Sequence, residues 1–168
     1  KDRFKAITKV DAFDEVLSNI IACVHKDLFV KVNIVTIRGT NDDEILDFVE
    51  LTRNLPLHIR FIEYMPFNGN QWEQEKVISH TEIVERISLE YNVQKLLDLK
   101  HDTAKKYQVK GFEGTFSVIS TISEPFCDNC NRLRLTADGK MKNCLFSSEE
   151  TDLLTALRNG EELKPLIN

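Results

Sequence analysis

Three of the four cysteines lie in one short segment, "FCDNCNRLRLTADGKMKNCLF", which spans residues 126–146. Cys127 and Cys130 form a C-x-x-C pair that can bind one metal centre from a tight turn, and Cys144 follows after thirteen residues. That interval is long enough for a strand, a turn and a return strand, which would bring the third thiol back to the pair. The spacing is therefore a specific signal, much stronger than a lone C-x-x-C pair.

Three kinds of chemistry are compatible with this spacing. A structural zinc ribbon needs a fourth ligand, and no histidine or further cysteine follows Cys144. An iron–sulfur cluster held by three thiolates leaves one iron open for another ligand. A redox C-x-x-C pair expects a thioredoxin-like βαβ context, whereas this pair precedes a predicted hairpin. Cys23 lies on the apolar face of a predicted helix and is interpreted as a buried thiol.

Two arginines, Arg132 and Arg134, stand between these cysteines in "NRLRL". If the segment is a strand, side chains two residues apart project to the same face. Each guanidinium offers a planar fork of donors that suits an anion or the edge of a base. The alternative is a solvated face of an edge strand, but the neighbouring cysteines favour a receptor.

The rest of the chain must position this segment. Its 168 residues, 42% of them apolar, are enough for one ordinary domain with a core, or for a piece of a larger one. The net charge of −5 argues against general nucleic-acid binding. No apolar run approaches a membrane span, and the first residues lack a signal-peptide pattern, so we expect a cytoplasmic protein without membrane contact.

Hydrophobic periodicity predicts two regions that meet near residue 92. In the first, residues 1–92, helices and strands alternate in the order α-β-α-β-α over 11–25, 29–37, 42–54, 57–65 and 79–91. This order is typical of parallel strands joined by crossover helices. Asn41 with Glu44, and Ser79 with Glu82, predict capping boxes for two of the helices. The second region, residues 93–168, has predicted strands at 115–123, 131–137 and 140–146, a hairpin turn at Asp138-Gly139 and a helix at 148–159.

Polar residues interrupt the predicted strands of the first region. Lys31 and Asn33 alternate in one strand, and Arg60 and Glu63 lie in the next. Charges in otherwise apolar parallel strands are costly to bury without a partner. Strand side chains that face the lumen of a barrel build active sites. The alternative is a buried ion pair between Lys31 and Glu63.

The segment "RFIEYMPFNGNQW" (60–72), followed by the cysteine–arginine segment, closely resembles the radical-SAM GTP 3′,8-cyclases of molybdenum cofactor biosynthesis, the MoaA family. "VKVNIVTIRGTNDDEI" (30–45) resembles a late barrel strand and loop of that family. The resemblance implies an α/β fold: residues 1–92 form the C-terminal portion of an incomplete (β/α)6 TIM-like barrel. Residues 93–168 form a small antiparallel extension that binds a cluster and GTP.

The same resemblance implies two [4Fe–4S] clusters in the whole enzyme, one of them on this chain, and S-adenosylmethionine as the source of the radical. By match, the ligands of the cluster on this chain are Cys127, Cys130 and Cys144. The residues implied at GTP are Lys31, Arg60, Arg132, Leu133 and Arg134. Met65 and, more weakly, Asn33 would contact S-adenosylmethionine.

The resemblance also implies partners: a downstream cyclic pyranopterin monophosphate synthase and a possible homodimer. The compartment would be the mitochondrial matrix in a eukaryote. The family's C-x-x-x-C-x-x-C motif for the first cluster does not occur in these 168 residues, and the chain ends "KPLIN" where the family often ends Gly-Gly. We therefore expect the C-terminal half of such an enzyme, inactive alone. The open alternatives are a zinc-stabilised binding module and another radical-SAM maturase with an auxiliary cluster.

Overall fold

The structure, a computed structural model, describes residues 1–67, 69–125, 127, 130–147 and 149–167. The chain forms two compact units, residues 1–126 and residues 127–168. The predicted boundary near residue 92 falls inside the first unit, because strands after that residue pair with earlier ones. The assignment of a barrel portion to 1–92 and a cluster-binding extension to 93–168 stays a prediction.

The first unit contains one five-stranded mixed sheet. Its strands, in spatial order, are β1 (Lys31–Thr36), β2 (His58–Glu63), β5 (Thr115–Ile119), β4 (Lys105–Val109) and β3 (Val93–Lys95). β1, β2 and β5 run parallel, whereas β4 and β3 are antiparallel to their neighbours. The predicted parallel pairing of the first two strands is therefore confirmed.

Four helices accompany this sheet: α1 (Asp2–Thr8), α2 (Phe13–Val24), α3 (Ile45–Glu50) and α4 (His80–Glu90). Two short 3-10 helices cover Asp42–Glu44 and Gln74–Lys76. The largest core cluster combines one face of the sheet, including Phe61 and Phe116, with Ile45 and Val49 of α3 and Ile83 of α4. The opposite face of the sheet carries most of the polar strand residues discussed below.

The two predicted capping boxes have different outcomes. Ser79 caps α4, because its hydroxyl accepts the N–H of Glu82 at 3.2 Å. Asn41 does not cap a helix with its side chain, so that prediction is wrong. Its amide instead accepts the N–H of Ile37 at 2.8 Å and donates to the carbonyl of Val35 at 2.9 Å. Asn41 thus holds the loop that leaves β1.

The second unit contains a small antiparallel sheet of β6 (Arg134–Leu135), β7 (Lys140–Lys142) and β8 (Thr151–Asp152). Two helices, α5 (Leu153–Arg158) and α6 (Lys164–Ile167), follow. The predicted hairpin at Asp138-Gly139 is confirmed: Thr136 bonds to Lys140 across the turn, and Gly139 adopts a φ of 78° that favours glycine.

The structure confirms the predicted α/β class, and it confirms a small antiparallel sheet in the C-terminal part of the chain. The described sheet of the first unit is open, with β1 and β3 at its edges, and the incomplete (β/α)6 barrel stays a prediction. Among the described residues no helix has the length and apolar character needed to cross a membrane.

Candidate functional site

The three clustered cysteines are all free and exposed. Cys127 and Cys130 share a tight turn, since the N–H of Cys130 donates to the carbonyl of Cys127 at 3.1 Å. Cys144 follows β7 and begins another turn, closed by a 3.3 Å bond from the N–H of Ser147 to the Cys144 carbonyl. The residues between the first two cysteines, 128 and 129, lie outside the described residues. Each thiol is thus carried by a loop beside the small sheet.

Cys130 has an electrostatic environment suited to a metal ligand. The backbone N–H and the guanidinium of Arg132 bond to its sulfur and lower the pKa of the thiol, and the charge of Arg134 acts in the same direction. A thiolate, not a thiol, binds metals, so this pair of arginines favours the ligating form of Cys130. Arg132, predicted to contact GTP, is therefore in direct contact with Cys130, predicted to be a cluster ligand.

The three cysteines are not gathered into a ready-made centre. Within the described ranges, no three Cys, His, Asp or Glu side chains lie close enough together to hold one metal ion. The donor set nevertheless fits an iron–sulfur cluster, because thiolates are the ligands such clusters use. The folding of small metal-binding units is often completed by the metal itself.

The predicted strand "NRLRL" is shorter in the structure. Only Arg134 and Leu135 pair with β7, and residues 131–133 are not in a strand. The strand predicted at residues 131–133 is therefore wrong, and that Arg132 and Arg134 share a face stays a prediction without support from strand alternation. Both arginines and Leu133 between them are exposed. What joins the two guanidiniums is their shared effect on Cys130.

Lys31, Asn33 and Arg60 lie together on the polar face of the sheet in the first unit. In the parallel register Lys31 pairs with His58, and Asn33 pairs with Arg60. Because residues in register on neighbouring strands share a face, these side chains project to the same side. Lys31 and Asn33 are exposed and Arg60 is half-buried. The structure thus groups two of the predicted GTP contacts with one predicted contact to S-adenosylmethionine.

Glu63 belongs to the opposite face and does not pair with Lys31, so the alternative of a buried Lys31–Glu63 pair is wrong. The Glu63 carboxylate is fully buried. It accepts the N–H groups of Ile122 at 2.7 Å and Ser123 at 3.0 Å, and also the Ser123 hydroxyl. This arrangement satisfies the charge without a cation and fixes the loop after β5.

Met65 lies two residues beyond β2, in a loop that is tied down by its own side chains. The Asn70 amide donates to the Met65 carbonyl at 2.8 Å and accepts the N–H of Phe67 at 2.9 Å. The Trp72 indole donates to the Tyr64 carbonyl at 3.0 Å. Met65 is half-buried. Its predicted contact with S-adenosylmethionine stays a prediction.

Two histidines form contacts that the sequence does not predict. His58 lies between the hydroxyls of Thr115, 2.7 Å from Nδ1, and Ser117, 3.0 Å from Nε2. Burial lowers its pKa to about 4, and the charges of Lys31, Arg60 and Lys106 add to the effect.

On the other face, His80 bonds to Glu124 at 3.0 Å and to the Tyr107 hydroxyl at 2.7 Å. Burial lowers the pKa of His80 as well. The contacts of both histidines join residues far apart in sequence, so local patterns carry no signal for them.

Comparison with known proteins places the chain in one family. Residues 57–168 match the family model described as "Molybdenum Cofactor Synthesis C". The chain is 42% identical over 167 residues to molybdenum cofactor biosynthesis protein 1 of Bos taurus, covering 98% of this chain and 26% of that protein.

Two relatives bear the name of an enzyme. The mitochondrial GTP 3′,8-cyclase of Arabidopsis thaliana is 41% identical over 162 residues, covering 95% of this chain and 42% of that protein. The GTP 3′,8-cyclase of Alkaliphilus oremlandii is 44% identical over 163 residues, covering 96% and 50%. The chain spans between about a quarter and a half of the curated relatives it matches.

The family match includes β2, the Met65 loop and the whole cysteine–arginine segment. The chain belongs to the Molybdenum Cofactor Synthesis C family.

Proposed function

We propose that this chain is the C-terminal part of a GTP 3′,8-cyclase, an S-adenosylmethionine-dependent radical lyase of molybdenum cofactor biosynthesis. The whole enzyme would convert GTP to (8S)-3′,8-cyclo-7,8-dihydroguanosine 5′-triphosphate. The names of the Arabidopsis and Alkaliphilus relatives support this activity. The chain contributes a cluster site and much of the GTP site, and it is inactive without the remainder of the enzyme.

The observation that carries the proposal is the pairing of Cys130 with Arg132 and Arg134. The arginines favour the thiolate, and the same guanidiniums offer donors to a ligand beside the metal. A purely structural zinc site needs four protein ligands, and this segment supplies three thiols. Three thiolates beside two guanidiniums suit a centre whose remaining position is taken by a substrate.

In this proposal Cys127, Cys130 and Cys144 hold a [4Fe–4S] cluster, which supplies an open iron for the guanine. Arg132 and Arg134 donate to GTP, and Leu133 contributes its backbone. A triphosphate needs several fixed cations, and Lys31 and Arg60 on the polar sheet face supply two of them. Met65 and Asn33 contact S-adenosylmethionine.

The open sheet of the first unit is the C-terminal portion of an incomplete (β/α)6 barrel, whose polar face lines the lumen. Such a lumen excludes water and side reactants from the radical. We also propose that the product passes to a cyclic pyranopterin monophosphate synthase. The enzyme works as a homodimer in the cytoplasm, or in the mitochondrial matrix of a eukaryote.

The test is GTP binding by the full-length protein that carries this chain, after anaerobic cluster reconstitution. Arg132→Ala and Arg134→Ala should each weaken GTP binding by about 10-fold or more, because a charge-assisted bond is lost. Arg158→Ala, in α5 of the same unit, is the matched control and should bind GTP as the wild type does.

The proposed GTP site is wrong if both arginine variants keep wild-type affinity for GTP. Such a result with an intact cluster would favour another radical-SAM maturase. A colourless protein that carries one zinc and takes up no iron would instead identify a zinc-stabilised binding module.

A further inference from the structure

The polar face of the first unit's sheet carries a third cation besides Lys31 and Arg60. In the sheet register Arg60 pairs with Ser117 of β5, and Ser117 pairs with Lys106 of β4. Lys106 therefore projects to the same side as Arg60, two interstrand spacings or roughly 10 Å away. The residue between them in the register is Ser117, and the imidazole of His58 bonds to its hydroxyl at 3.0 Å.

The three cations have little compensating negative charge. Among the described residues, Lys31 and Arg60 have no ion pair, and Lys106 pairs with Asp102 at 2.6 Å. His58, the register partner of Lys31, is neutral at pH 7 because burial lowers its pKa to about 4, and it adds no charge of either sign. Three cations and one carboxylate, Asp102, which acts on both Lys106 and Lys31, leave an excess of positive charge that attracts a compact polyanion.

The ion pair between Asp102 and Lys106 is weak. It lies in the loop before β4, and its carboxylate also accepts the N–H of Leu99 at 2.8 Å. Both partners of the ion pair remain about a third exposed. Exposed pairs of this type contribute about 1 kcal/mol or less, so a more highly charged ligand can replace the carboxylate.

We propose that Lys106 is a third phosphate-binding cation of the nucleotide site, and that Asp102 holds it in place until the triphosphate replaces the carboxylate. This inference rests on the proposed function, and it adds a residue that binds the phosphates rather than the base. Asp102 competes with the phosphates for the same ammonium group.

The two members of the pair therefore have opposite predicted effects on binding. Loss of Lys106 removes a phosphate contact, whereas loss of the Asp102 charge removes the competitor. If the pair were merely structural, either change would break the same interaction and both would act in the same direction.

The experiment measures GTP and GMP affinities of the full-length, cluster-loaded protein by calorimetry. Lys106→Gln should weaken GTP binding by about 10-fold to 100-fold and GMP binding much less, because fewer phosphates reach this cation. Asp102→Asn keeps the shape and the acceptor for Leu99, and it should tighten GTP binding by about 3-fold to 10-fold.

Lys95→Gln is the matched control, since Lys95 pairs with Asp98 of the same loop but lies on the other face of the sheet. It should leave both affinities unchanged. Equal GTP affinity of wild type and Lys106→Gln overturns the inference and leaves the proposed function standing. Weaker binding in both Lys106→Gln and Asp102→Asn also overturns it. A wild-type protein that binds no GTP overturns the proposed function and this inference together.

Discussion

The two units of the chain organise their polar residues by different means. In residues 1–126 a large apolar core lies on one face of the sheet, and it orients Lys31, Arg60 and His58 on the other. In residues 127–168, by contrast, Ala156 is the one buried apolar residue among those described. A unit of about 40 residues without a core needs a metal, a disulfide or a partner to be stable. Its cysteines form no disulfide, so a metal centre bound by them is the means of stabilising this unit that its sequence suggests.

This difference shows two ways of building a site. The first unit places cations by packing and register, at positions set before any ligand arrives. The second unit exposes its three cysteines and Arg132 on loops and Arg134 on the short strand β6, and in the proposed function a bound cluster orders them. We therefore expect changes to the core to affect the first unit, and changes to the thiols to affect the second.

The largest expected effect follows from losing the metal centre. Cys144→Ser in the reconstituted full-length protein should raise amide exchange in β6–β8 by about 100-fold or more, because the second unit loses the metal centre. Strands β1, β2 and β5 should exchange as in wild type. The measurement is hydrogen exchange by mass spectrometry, with Cys23→Ser as the control that leaves both units protected. Unchanged exchange in β6–β8 would show that the second unit does not depend on a metal centre for its stability.

A change confined to the first unit should have the converse effect. Glu63→Leu leaves the N–H groups of Ile122 and Ser123 without their buried acceptor, and should lower the free energy of unfolding of that unit by about 2–4 kcal/mol. Denaturant unfolding measures it, with exposed Glu85→Gln of α4 expected within about 0.5 kcal/mol of wild type. A loss no larger than that of the control would mean that the carboxylate does not hold the loop.

The smallest expected effect concerns pH. His58 has a pKa of about 4 in the fold against 6.5 ordinarily, so the unfolded chain binds the proton more readily. The stability that this neutral histidine contributes is complete above pH 6.5 and is lost as the pH falls toward 4. Between pH 7 and pH 5 the loss should be about 2 kcal/mol.

His58→Gln places a polar amide that does not titrate in the same site, so its stability should depend less on pH over that interval. Unfolding free energies of the two proteins at matched pH values test this. Parallel pH profiles for wild type and variant would show that His58 is not kept neutral by the fold.

The sequence predicts the long periodic elements of this fold well. Helices α2 and α4, strands β1 and β2 and the Asp138-Gly139 hairpin agree with the predictions, because each has a local pattern of period, cap or turn. Strands β3 and β4 have no such signal. They are short and rich in lysine and glutamine. β4 is held by its pairing with β5, and β3 is held by its pairing with β4.

The sequence indicates the chemistry of the candidate site but not its geometry. The cysteine and arginine types and spacing indicate the chemistry, but the strand at Arg132 is absent because no described neighbour pairs with it. The roles of His58 and Glu63 depend on register and on a loop some sixty residues away, which no local pattern encodes.

The most direct test of the central claim is a metal count. The account predicts that the anaerobically reconstituted full-length protein loses about four iron and four sulfide per chain when Cys127, Cys130 and Cys144 are all replaced by serine, with absorbance near 400 nm falling in proportion. Equal iron and sulfide in the wild type and the triple variant, or zinc in place of iron in the wild type, would contradict it.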